Sequence, residues 1–133
     1  MSVAPVTVVI IHRNRPDAVG RTVAAFREQT TPTRVIVVDN GSDDQTQRSL
    51  PALVGDAEII FGGGNLGFGP GGNVGLRRFL SDGIGDWVAI APHDALPDPD
   101  TIDKMLAAVE DRPTVGLMSA DVDSASKDAR LTL

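Results

Sequence analysis

Apolar residues along the chain fall into two alternating patterns. Residues 6–11, VTVVII, form a short β-branched run of the kind a strand buried on both faces carries. Val19, Val23 and Phe26 then recur at helical spacing, so residues 16–29 read as an amphipathic helix. Pro16 opens it, because its missing N–H is not needed in a first turn, and Thr30-Thr31-Pro32 ends it. Residues 34–38, RVIVV, predict a second strand. Asn40 to Asp44 follow as a turn whose Asp and Ser side chains can accept the free N–H groups of a new helix. Residues 57–61, AEIIF, predict a third strand. A glycine-rich loop from Gly62 to Gly75 leads into a helix marked by Leu76, Phe79 and Leu80. Residues 87–91 predict a fourth strand. Asp98-Pro99 is a helix start for Ile102, Met105, Leu106 and Val109, and Val115 to Met118 reads as a fifth strand. The polar stretch from Asp121 to Leu133 has no period and reads as a loop or frayed end.

Strands alternating with helices require crossover connections, so the predicted class is α/β, a mainly parallel sheet flanked by helices. At 133 residues the chain is one domain, 1–133, with no internal repeat or linker. One Trp and no Tyr leave a core of Val, Ile, Leu and Ala, which suits a sheet buried on both faces. A net charge of −6 argues against a broad nucleic-acid footprint but leaves single arginines free to meet a small phosphorylated ligand. The absence of Cys excludes disulfides, thiol catalysis and Cys-based zinc sites. No apolar run is long enough to span a bilayer, and Met1 to Pro5 do not resemble a secretory signal; a cytoplasmic location is expected.

Ligands on parallel sheets bind beyond the carboxyl ends of the strands. Four polar loops leave those ends: His12-Arg13-Asn14, Asp39 to Ser42, the glycine loop, and Pro92-His93-Asp94. Asp39 can accept an N–H from a base or a sugar hydroxyl, or serve simply as a turn residue capping the next helix. Asn65, Gly67 and Asn73 lie in a loop whose glycines let backbone approach a ligand, ahead of a helix N-terminus that attracts phosphate; the alternative is a mobile surface loop. Asp94 beside His93 can bind a divalent cation bridging a diphosphate, or be a turn Asp beside an exposed imidazole. Asp98 and Asp100 read as helix-start residues. Arg13 and Arg15 can pair with phosphate or stack on a base, or stay solvated. Gly67 to Gly72 also satisfies G-x-G-x-x-G. That dinucleotide fingerprint belongs in the first strand–helix turn, whereas here it follows the third strand, so an NAD-type domain is the weaker alternative.

Four segments in register resemble family 2 glycosyltransferases, particularly rhamnosyl- and galactofuranosyl-transferase-like members: VTVVIIHRNRPDAVGRTVAAFREQT, VIVVDNGSDD, GNLGFGPGGNVGLR and WVAIAPHDALPDPDTIDKML. The resemblance implies the Rossmann-like GT-A fold, cut short before the acceptor-binding part. It also implies transfer of sugar from a UDP- or dTDP-linked donor to an acceptor hydroxyl in cell-surface polysaccharide or glycolipid synthesis. It assigns His12, Arg13 and Asn14 to the nucleoside pocket, Asp39 to the base, and Asn65, Gly67 and Asn73 to the ribose and diphosphate. Asp94, with His93 as a further ligand, would hold Mn²⁺ or Mg²⁺. The family's Tyr in the first loop is replaced by Arg13, and its DxD position reads Pro92-His93-Asp94, which keeps only the last acid. That loss weakens cation affinity or passes part of the coordination to His93. The catalytic base is expected beyond residue 133, so this fragment alone should be inactive. A degenerate, non-catalytic nucleotide-binding module is the main alternative. Expected partners are the nucleoside diphosphate sugar and a saccharide or lipid-linked acceptor, with no nucleic acid. An open sheet edge would favour self-association into a homo-oligomer, and a membrane could be met at its inner face only through further sequence.

Overall fold

The computed structural model describes residues 4–121. Its elements are β1 (Val6–His12), α1 (Pro16–Arg27), β2 (Thr33–Asp39), α2 (Asp44–Val54), β3 (Glu58–Phe61), α3 (Phe68–Asp82), β4 (Val88–Pro92) and α4 (Thr101–Val109). The four strands form one sheet in the order β3-β2-β1-β4, every pair parallel.

Side-chain alternation along the strands divides the core in two. Val6, Val8 and Ile10 of β1 and Val35 and Val37 of β2 face Val19, Val23 and Phe26 of α1, Leu50 and Val54 of α2, and Ile102 of α4. Val9, Ile36 and Val38 face the other way, with Ile60, Val74 and Val88 beside them. α1, α2 and α4 therefore cover one face and α3 the other. Both faces of β1 are buried, as its unbroken apolar run requires. The chain runs outward from β1 to β2 to β3, then returns across the sheet to lay β4 on the opposite side of β1. The reversal of strand order thus falls between β1 and β4, where an open α/β sheet leaves a crevice at its carboxyl edge.

The elements begin and end for local reasons. Pro16 occupies the first turn of α1, and the Asp43 side chain caps α2 by accepting the Thr46 N–H at 2.8 Å. Gly83 closes α3 in the left-handed conformation.

Two expectations need correction. The glycine loop is far shorter than Gly62 to Gly75. α3 starts at Phe68, because Gly71, Gly72 and Gly75 are buried against the sheet and helix formation there brings α3 close to β1. Val115 to Met118 is not a strand: it runs as irregular chain, with Leu117 90% exposed, and no strand among the described residues lies beside it to share a ladder. α4 starts at Thr101, after a turn in which Thr101 N–H donates to the Asp98 carbonyl at 3.1 Å. Of the polar stretch, all but Asp121 lies outside the described residues. No helix among them is long and apolar enough to cross a membrane.

Candidate functional site

The loops leaving all four strands interlock, with His12 at the centre. His12 ends β1 and pairs in register with Asp39 at the end of β2. Both side chains are wholly buried, and His12 Nδ1 lies 3.0 Å from Asp39 Oδ1. The Arg15 N–H points at His12 Nε2 at 3.1 Å, so that nitrogen is the acceptor and the ring proton sits on Nδ1, donated to Asp39. The other Asp39 oxygen accepts the Ser42 N–H at 3.1 Å and the Gln47 amide at 2.9 Å. Burial works to raise the Asp39 pKa, but the hydrogen bonds from Ser42, Gln47 and His12 outweigh it and hold the carboxyl below its ordinary value.

The turn between β1 and α1 gives three consecutive backbone N–H groups to side chains. Arg13 donates to His93 Nδ1 at 3.2 Å, Asn14 to Ser42 Oγ at 2.9 Å and Arg15 to His12 Nε2. Asn14 takes a left-handed φ of 48°, a conformation Asn tolerates better than most residues, and its Oδ1 accepts the Asp43 N–H at 2.8 Å. On the β4 side, Thr22 Oγ1 donates to the His93 carbonyl at 2.8 Å, and the two imidazoles meet edge to face, centroids 5.7 Å apart. Burial first, and with it the Arg15 charge, lowers the His93 pKa against the opposing pull of Asp94 and Asp17.

The glycine loop is tied in through Asn40, whose Nδ2 donates to the Gly67 carbonyl at 3.0 Å while its Oδ1 accepts the Leu66 N–H at 3.0 Å. Gly41, at φ 78°, lies so close to this loop that a Cβ would stand 2.5 Å from backbone atoms of Gly64 and Asn65. Asn65 Oδ1 accepts the Gly67 N–H at 3.2 Å, and α3 begins with no side-chain cap and no acid in its first turn.

The residues named from sequence thus separate by depth. Arg13, Asn14, Asn65, Gly67, Asn73 and Asp94 are exposed at the carboxyl rim, His93 is half-buried, and His12 and Asp39 are buried beneath them. Among the described residues no three His, Asp or Glu side chains gather to hold a metal ion. The Nδ1 lone pair of His93 accepts the Arg13 N–H, so the neutral ring carries its proton on Nε2. Asp94 remains as a single rim carboxylate.

Asn40, Ser42, Gln47, Thr22 and Gln29 carry contacts that no sequence pattern assigned. Gln29 is buried and joins α1 to the segment before α4, donating to the Asp98 carbonyl at 2.7 Å and accepting the Ile102 N–H at 3.1 Å. Asn40 and Ser42 stood beside Asp39 in VVDNGSDD, where the acid drew the functional reading. A hollow of about 280 Å³ lies elsewhere, at the amino ends of β2 and β3, lined by Arg27, Arg34, Asp56 and Glu58 among others. Its guanidinium–carboxylate pairs, Arg27–Asp56 and Arg34–Glu58, account for its polar lining.

An all-parallel sheet, helices on both faces and polar loops gathered where the strand order reverses define a Rossmann-like α/β domain. Its closest description is the GT-A fold. Superposition on the crystal structure of S. aureus TarS 1–349 gives a TM-score of 0.63 at 19% identity, over 80% of this chain and 32% of that one. The model of glycosyl transferase family 2 matches residues 7–130, and the chain belongs to that family. It is also similar to the N-acetylglucosaminyl-diphospho-decaprenol L-rhamnosyltransferase of Mycobacterium tuberculosis strains CDC 1551 / Oshkosh and ATCC 25618 / H37Rv. Each is 30% identical to it over 65% of this chain and 31% of the relative. The chain therefore spans about a third of the length of the curated relatives it matches.

Proposed function

We propose that the chain forms the donor-binding half of a glycosyltransferase that takes a UDP- or dTDP-linked sugar and serves cell-surface polysaccharide or glycolipid synthesis. The observation that carries this reading is the interlocking of four strand-end loops around His12, beside the point where strand order reverses. In the proposed pose the nucleoside lies against Arg13 and Asn14, above the buried His12–Asp39 pair. The diphosphate faces Asn65, Gly67 and the uncapped start of α3, with Asn73 one turn further on. An unscreened helix N-terminus with no nearby acid favours negative charge. The names of the mycobacterial relatives point to a deoxyhexose donor and a lipid-linked acceptor.

In the reaction an acceptor hydroxyl attacks the anomeric carbon, the bond from that carbon to the diphosphate oxygen breaks, and the hydroxyl proton passes to a base. No residue of this chain is assigned as that base. A divalent cation, when present, neutralises charge on the leaving diphosphate. Asp94 is the residue of this chain that would hold it.

Calorimetry with UDP, dTDP and their sugars, with and without Mn²⁺, tests the reading. Saturable binding with little or no sugar transfer by the 133-residue chain is expected; a folded chain that binds no nucleotide would refute it. The geometry of His93 favours one competing reading, a nucleotide-holding module without catalysis. Binding indifferent to Mn²⁺ would favour that module.

A further inference from the structure

We propose that His93 is a positioning residue and not a cation ligand: its Nδ1 lone pair holds the Arg13 amide, and with His12 it clamps the turn that carries Arg13. This rests on the donor-binding role given above to Arg13. The three amides of Arg13, Asn14 and Arg15 go to acceptors from three different strand ends, β4, β2 and β1. Such a turn has no freedom to re-aim its side chains without releasing one of these bonds. His93 is itself held from both sides, its carbonyl by Thr22 and its ring edge-on against His12.

The two imidazoles must hold their protons on opposite nitrogens. His12 accepts at Nε2 and donates from Nδ1 to Asp39; His93 accepts at Nδ1 and keeps its proton on Nε2. For His93 to ligate a cation through Nε2, the proton would have to move to Nδ1. There it would oppose the Arg13 N–H across 3.2 Å. Cation ligation by His93 and a pinned Arg13 turn therefore exclude each other. The imidazole at the middle of the half-lost DxD position thus serves the turn that carries Arg13 and not a cation.

Two isosteres separate the roles. Asn at position 93 puts an amide oxygen where Nδ1 stands and nothing at Nε2, whereas Gln reaches toward Nε2 and leaves the Nδ1 position empty. Long-range ¹H–¹⁵N spectra of the wild-type chain at about pH 8, well above the ordinary imidazole range, should show His93 protonated on Nε2 and His12 on Nδ1. H93N should retain the slow exchange of the Arg13 amide and the wild-type affinity for UDP or dTDP, with any Mn²⁺ effect unchanged. H93Q should lose the slow exchange and about tenfold in nucleotide affinity, as expected for one hydrogen bond. An Nδ1-protonated His93, or a Gln variant that keeps Mn²⁺-dependent affinity while the Asn variant loses it, would overturn the proposal. If the wild-type chain binds no nucleotide, the donor-binding reading fails, while the tautomer and exchange measurements still decide the clamp.

Discussion

Asp39 illustrates how a motif residue changes meaning once its neighbours are known. From sequence it is either a carboxylate open to a ligand or a turn residue capping the next helix; in the fold it is buried, with both oxygens serving protein donors. Asp39→Asn keeps the shape but turns one acceptor into a donor facing other donors. A loss of roughly 1.5–3 kcal/mol in urea unfolding is expected at pH 7. The pH dependence has a defined sign. The folded-state pKa of Asp39 lies below its unfolded value, so its contribution is complete above about pH 3.9 and is lost as pH falls through the lower folded value. The stability gap between wild type and Asp39→Asn should therefore be flat above pH 5 or so and shrink on further acidification; a gap that widened would contradict this hydrogen-bond network. Gly41 was legible only as a turn glycine. Its φ of 78° and the backbone of Gly64 and Asn65 beside it predict that Gly41→Ala costs roughly 2–4 kcal/mol, checked by thermal or urea denaturation.

At the scale of elements, periodicity located β1, α1, β2 and β4 to within a residue or two, because their apolar runs obey one period without interruption. α3 escaped that reading at its start. Gly69, Pro70, Gly71 and Gly72 have poor helix propensity and suggest a loop, but Gly71 and Gly72, with Gly75 further on, allow α3 to lie against the sheet. Tertiary packing overrides propensity there. A Cβ on Gly75 would overlap the Val9 side chain, so Gly75→Ala should cost roughly 1–3 kcal/mol, whereas Gly69→Ala, which meets open space, should be neutral or stabilising. Paired denaturation curves settle that contrast. At the other end of the site, Gln29→Ala removes a partner from the Asp98 carbonyl and the Ile102 N–H. It should lower stability by roughly 2–4 kcal/mol and raise amide exchange at Ile102 more than in β1.

For the whole molecule, β3 and β4 are the sheet's two edges among the described residues, and Ile90 on β4 remains 42% exposed. The 133-residue polypeptide by itself should associate as its concentration rises, and sedimentation velocity that stays monomeric across the micromolar to millimolar range would show the edges are adequately protected. What the sequence alone determined is the succession of strands and helices, the parallel sheet they must make, and the set of polar loops at its carboxyl edge. Those features follow from short-range periods and from the handedness of crossover connections, which any chain with this pattern obeys. Only the tertiary structure decided which loop groups face solvent and which are consumed. The depth of Asp39, the tautomer of His93, and the helical fate of the glycine run depend on contacts between residues 27 to 80 positions apart. A linear pattern carries no distance information at that range, so those partners became visible only once the strands were laid side by side.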